Sequence, residues 1–232
     1  MSVDTEAPVT LDVRALGVTE VNRRLRDLAD GSPVTLTQTW GAHNLGVGLT
    51  NHVQITIEGN AGYYLAGLCD GPDFTVEGSV GLGVAENLMS GTVRVSGNAS
   101  GSAAASAHGG LVVIRGDASS RAGISLKGGT LAVAGDVGHM GAFMAQAGTI
   151  LVGGDAGDSL GDSLYEAVVY VGGRIRSLGA DARVEDMLES DIARVRELCA
   201  LAGFDHIAAE SVRKVASAKQ LYNFDALKNQ RY

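Results

Sequence analysis

The sequence predicts an all-β chain: a right-handed, single-stranded parallel β-helix of about seven 19-residue coils, with an N-terminal α/β lead and a C-terminal helix and tail. Three observations predict it. Seven glycines, Gly59, Gly78, Gly97, Gly116, Gly135, Gly154 and Gly173, recur every 19 residues. Apolar pairs stand four and two residues before each of them: Ile55/Ile57, Phe74/Val76, Val93/Val95, Val112/Ile114, Leu131/Val133, Ile150/Val152 and Val169/Val171. Further apolar columns share the period, one running Ala61, Val80, Ala99, Ala118, Val137, Ala156, Ile175 and another Cys69, Leu88, Ala107, Leu126, Ala145, Leu164.

Apolar residues two apart share one face of a strand. The glycine that follows is expected to turn the chain through positive φ. A 19-residue unit is too short for a strand, a crossover helix and a returning strand. It suits one coil of short strands joined by tight bends, and seven coils stacked about 4.8 Å apart make a rod on the order of 30–35 Å long.

The elements follow in order. Residues 1–52 form the N-terminal lead and cap. There Thr19 is expected to cap a helix over Glu20–Asp30, with Val21, Leu25 and Leu28 on one face and Gly31 as its stop. Val34–Thr39 alternates as a strand. Residues 53–179 are the seven coils. In residues 180–232, Leu188, Ile192, Val195, Cys199 and Ala202 have helical spacing and Gly203 closes the helix. That helix is expected to cover the open end of the solenoid. The tail Ser211–Tyr232 is expected to lie outside both coils and helix as a docking arm. Its anchors are Lys219, Tyr222, Phe224, Arg231 and Tyr232, because aromatic and basic side chains dominate interfaces.

Composition agrees with this plan. Glycine accounts for 33 of 232 residues, well above the usual share of about 7%. It follows no Gly-X-Y period, which excludes collagen. Aromatic residues are 5%, suiting a narrow interior of Val, Ile, Leu and Ala. Charged residues are 19%, below the average of about 25%, as expected where surface meets other protein. A net charge of −8 argues against nucleic acid as a partner. No apolar stretch is long enough for a membrane span, and the first ten residues do not read as a signal peptide. Cys69 and Cys199 lack metal spacing, so a cytoplasmic location with reduced thiols is expected.

The residues supply little chemistry. His43, His52, His108, His139 and His206 share no ligand spacing. Asp117, Asp136 and Asp155 occupy one column below Asn60, Ser79 and Asn98. Stacked carboxylates are a candidate cation site. Turn formers that bond their own backbone are the simpler expectation. Gly81-Leu82-Gly83 lacks the rest of a dinucleotide fingerprint. No catalytic, cofactor-binding or metal residue is expected in this chain.

The coils, with Glu58-Gly59-Asn60-Ala61-Gly62, Glu77-Gly78-Ser79-Val80-Gly81 and Gly135-Asp136-Val137-Gly138, resemble the glycine-repeat (GXGXG) β-helix that ends the large subunit of glutamate synthase. His43-Asn44-Leu45-Gly46-Val47-Gly48-Leu49-Thr50 resembles the segment leading into that domain. The resemblance covers roughly residues 30–205 and is specific as to fold. Read as a free-standing chain, the sequence is most similar to the separate glycine-repeat subunit of N-methylglutamate synthase, the methylamine–glutamate N-methyltransferase. Its ending, Ser217-Ala218-Lys219-Gln220-Leu221-Tyr222-Asn223-Phe224, carries that likeness.

The resemblance implies a non-catalytic structural subunit of an FMN-dependent transferase complex. Its partners would be a glutamine-amidotransferase-like subunit and a glutamate-synthase-like subunit carrying FMN and iron–sulfur clusters, with no cofactor in this chain. The alternatives are the β-helix subunit of a formylmethanofuran dehydrogenase-like or formyltransferase/hydrolase one-carbon complex, or a stand-alone binding or assembly protein.

Overall fold

The computed structural model describes residues 9–220. Its strands are β1 (Val9–Asp12), β2 (Pro33–Thr37), β3 (Gln54–Glu58), β4 (Asp70–Glu77), β5 (Ser90–Val95), β6 (Leu111–Ile114), β7 (Lys127–Val133), β8 (Ala147–Val152), β9 (Val168–Val171), β10 (Ala182–Glu185) and β11 (Arg213–Ser217). The helices are α1 (Val13–Leu16), α2 (Val18–Asp27) and α3 (Glu189–Ala202). One sheet runs β1-β2-β3-β4-β5-β6-β7-β8-β9-β11-β10, parallel from β1 to β9 and antiparallel over its last two pairings.

The 19-residue period is the register of β3 to β9: Ile55 pairs with Phe74, Val93 with Val112, Ile150 with Val169. Both residues of every predicted apolar pair are buried, as is the column from Cys69 to Leu164. A second face is a run of parallel bridges from Ala61 through Val80, Ala99, Ala118, Val137 and Ala156 to Ile175. These columns merge into one continuous core, where each larger side chain contributes about 1.5–3 kcal/mol by leaving water.

The glycine column has a different cause from the expected one. Gly59 has φ +98, but Gly78, Gly97, Gly116, Gly135, Gly154 and Gly173 do not take positive φ. They stack instead: the N–H of Gly97 donates to Gly78 O at 2.9 Å, and Gly135 to Gly116 O at 3.1 Å. A Cβ on Gly135 would overlap Asp117 Oδ1 and lie 3.0 Å from Gly116 O. Lateral space selects glycine here. Positive φ falls on the third face, largely on residues with side chains: Tyr64, Ala66, Leu68, Ala85, Asn87, Ser102, Ala104, Ser106 and their successors. Bonds between coils offset the strain, with Tyr64 N–H donating to Leu82 O and Leu68 N–H to Glu86 O, both at 2.8 Å.

The sheet also starts earlier than the glycines. β2 pairs with β3 in parallel, Val34 opposite Ile55, at an offset of 21 residues that hides this coil from a period of 19. The lead's helix, expected over Glu20–Asp30 with a Thr19 cap, is α2 at Val18–Asp27 and follows Gly17. Val21 and Leu25 are buried in the main core and Leu28 packs against it. Asn22 fixes the helix to the loop below, its Nδ2 donating to Asn44 O at 2.7 Å and its Oδ1 accepting from Gly46 N at 2.8 Å.

The C-terminal helix forms as its spacing predicts and ends at Gly203 in the left-handed region, φ 70. Its placement corrects the expectation. α3 does not cover the end of the solenoid. Val195, Leu198, Cys199 and Ala202 join Phe204, Ala209 and Val212 on the outward face of the sheet, against Val113, Ala132, Leu151 and Tyr170. Leu188, read as part of the stripe, is exposed at the N-cap. Arg94 donates to Leu201 O at 2.9 Å and Arg115 to Gly203 O at 3.3 Å, placing cations at the negative end of the helix.

The edge left by β9 is closed by β11, Val215 opposite Val169, and Val215 is fully buried. The start of the expected docking arm is therefore a strand of the sheet. Tyr222, Phe224, Arg231 and Tyr232 lie outside the described residues.

Candidate functional site

The turn after each column glycine builds a ladder on the outside of the coils. Each polar side chain accepts a backbone N–H from the coil above: Ser79 N to Asn60 Oδ1 at 2.8 Å, Asn98 N to Ser79 Oγ at 3.0 Å, and Asp117 N to Asn98 Oδ1 at 2.9 Å. Asp136 N donates to Asp117 Oδ1 at 2.9 Å, Asp155 N to Asp136 Oδ1 at 2.6 Å, and Arg174 N to Asp155 Oδ1 at 2.7 Å. These side chains satisfy the neighbouring coil's backbone, not their own as expected.

The lower rungs line a groove of about 750 Å³ with Asp158, His139, Arg174 and Arg176. The Arg174 N–H, then its guanidinium 2.9 Å from Asp155 Oδ2, hold the Asp155 carboxyl below the usual range. Arg176 lies 3.5 Å from Asp158. Among the described residues no group of three or more His, Cys, Asp or Glu side chains is placed to hold a metal.

The remaining candidates serve the fold. His43 accepts the Tyr63 N–H at 3.1 Å and stacks on the Tyr63 ring at 3.6 Å. His139 contacts Asp158 O at 3.1 Å through Nδ1, and His206 contacts Ala134 O at 3.2 Å through Nε2. Both cysteines are free and buried. Burial pushes the Cys69 thiol up to about 11 and raises that of Cys199, the opposite of a reactive thiolate. Lys219, expected to dock a partner, has φ 58 and its N–H donates to Ser217 Oγ at 3.0 Å, next to the strand that closes the sheet.

The feature absent from the sequence-based expectations is Trp40. It is 78% exposed and is the single tryptophan of the chain. Thr39 beside it is buried, its hydroxyl donating to Asn60 O at 2.7 Å. With Gln38 at φ 53 and Trp40 at φ 46, that bond turns the indole outward. The Trp40 Nε1–H donates to Gln38 Oε1 at 2.8 Å, and the Arg14 guanidinium sits 5.7 Å from the ring centre. The signal was available in the sequence as a lone Trp beside polar residues just past a strand.

No family model matches the chain. A stretch of 67 residues is 44% identical to Protein GlxC of Rhizobium meliloti (strain 1021). The matched stretch spans 29% of this chain and 29% of that protein. Among the described residues no helix is long and apolar enough to cross a membrane.

Proposed function

We propose that this chain is a non-catalytic structural subunit of a cytoplasmic, FMN-dependent glutamate-synthase-like complex. The complex is N-methylglutamate synthase, in which methylamine and glutamate give N-methylglutamate and ammonia. The partners are a glutamine-amidotransferase-like subunit and a subunit holding the flavin and iron–sulfur clusters.

The observation that carries this reading is the filled interior. Stacked apolar columns occupy the inside of the coils, so the chemistry available to the chain lies on its outer surfaces. A rod locked by ladders of bonds between coils suits a spacer that holds catalytic modules at fixed separation. The partial likeness to Protein GlxC supports the glutamate-synthase-like setting. A pull-down at native expression level tests it. The two named partners are expected in fixed stoichiometry. Recovery of a formyltransferase with an amidohydrolase-like subunit would favour the one-carbon alternative.

A further inference from the structure

Trp40 lines two adjoining grooves. On one side lies a mostly apolar groove of about 520 Å³, lined by Val13, Arg14, Val18, Gln38, Trp40 and Ala42. On the other lies a groove of about 550 Å³ with a mixed polar and apolar lining that includes Thr37, Gly41, Glu58 and Asn60. Among the described residues neither Arg14 nor Glu58 has an ion-pair partner, whereas the nearby Arg23 and Arg24 are both paired with Glu20. The Thr39 hydroxyl bond to the next coil and the Gln38 amide hold the indole, and little packing covers it. A preorganised aromatic beside an arginine is the composition of an interface anchor.

We infer that Trp40 and its two grooves dock an extended segment of a partner subunit. That segment presents a carboxylate and an apolar side chain on the Arg14 side and a cation on the Glu58 side. Charge complementarity fixes this occupant: the unpaired guanidinium selects an acid, the unpaired Glu58 carboxylate selects a base, and the order of the two sets the direction in which the segment crosses the ring. The inference rests on the scaffold reading and assigns the docking surface within it to the N-terminal coil instead of the tail.

The single tryptophan provides the test. Incorporating 5-fluorotryptophan gives one fluorine resonance, reporting on Trp40 alone. The full-length chain is titrated separately with the purified amidotransferase-like subunit and the purified flavin-binding subunit. One of them is expected to shift the resonance. Trp40→Ala should weaken that complex about 30-fold, and Arg14→Glu and Glu58→Arg should each weaken it less, all three with unchanged melting temperature. Binding that leaves the resonance in place and is insensitive to Trp40→Ala overturns the docking site and leaves the scaffold reading standing. Binding by neither subunit overturns the scaffold reading and this inference with it. A resonance that shifts with protein concentration alone identifies a second copy as the occupant, and one that shifts on removal of residues 1–8 identifies the chain's own N-terminus. Either result overturns the proposal.

Discussion

The Tyr170 hydroxyl donates to Asp191 Oδ1 at 2.7 Å, joining the sheet to the first turn of α3. The other carboxylate oxygen accepts the Leu188 N–H at 3.0 Å and faces Lys214 Nζ at 3.3 Å. One buried carboxylate thus holds β9, α3 and β11 together. Tyr170→Phe should lower stability by about 1–3 kcal/mol, because a charge-assisted bond is lost and its acceptor stays buried. Equilibrium urea unfolding measures it.

The same group gives a pH dependence. Burial pushes the Asp191 carboxyl up, but the bonds from Tyr170, Leu188 N–H and Lys214 outweigh it and leave the group below the usual carboxylate range. In the window just below about pH 4, the unfolded chain therefore binds the proton that the folded chain refuses. Stability is complete above that window and falls as pH drops through it toward the folded value. Asp191→Asn should remove this part of the acid sensitivity, read as a flatter melting temperature between about pH 5 and 3.

At the glycine column the cause is lack of room, which reverses a simple expectation. If left-handed backbone were the reason, Gly135→Asn would be tolerated better than Gly135→Val. Because a Cβ there meets Asp117 Oδ1 and Gly116 O, both should destabilise severely, and Gly135→Ala nearly as much. Asp117→Gly should partly rescue Gly135→Ala by removing the nearest clash. Thermal melts of the three Gly135 variants, of Asp117→Gly and of the Asp117→Gly/Gly135→Ala double variant check this, and an absence of coupling would point away from lateral crowding.

Val133 is fully buried between neighbouring coils. Val133→Asp should cost several kcal/mol by placing an unpaired carboxyl in an apolar column. Soluble yield and melting temperature report it.

The coils were legible because one period governed them. Ile55 to Val171 declared the inward columns, since each side chain there meets its own equivalent one coil away. The coil formed by β2 escaped because its offset is 21 residues. α3 was legible from its stripe, but its seat was not. The outward residues Val113, Ala132, Leu151 and Tyr170 turn apolar only on the later coils, and that shift is easily lost among inward apolar neighbours. Arg213 and Lys214 fall in the stretch read as a docking arm outside the fold. Lys214 instead pairs with Glu185 and Asp191, and the buried alternates Val215 and Ser217 mark a strand that the neighbouring charges concealed. Of the candidate docking residues, only Lys219 lies within the described chain.

This placement changes what truncation does. Removing residues 211–232 deletes β11, exposes the edge of β9 and takes Val215 from the core, so it should unfold the chain or yield aggregate. Removing residues 221–232 leaves every described strand intact and should preserve most of the melting temperature. Circular dichroism melts of the two truncations distinguish them.

Under the proposed function, this chain organises a transferase whose chemistry its partners perform. Reconstitution from purified subunits, with N-methylglutamate and ammonia measured after adding methylamine and glutamate, tests it most directly. No turnover is expected from this chain alone, and full turnover only when it joins both partners. Turnover by this polypeptide alone, or an undiminished rate from the two partners without it, would contradict it.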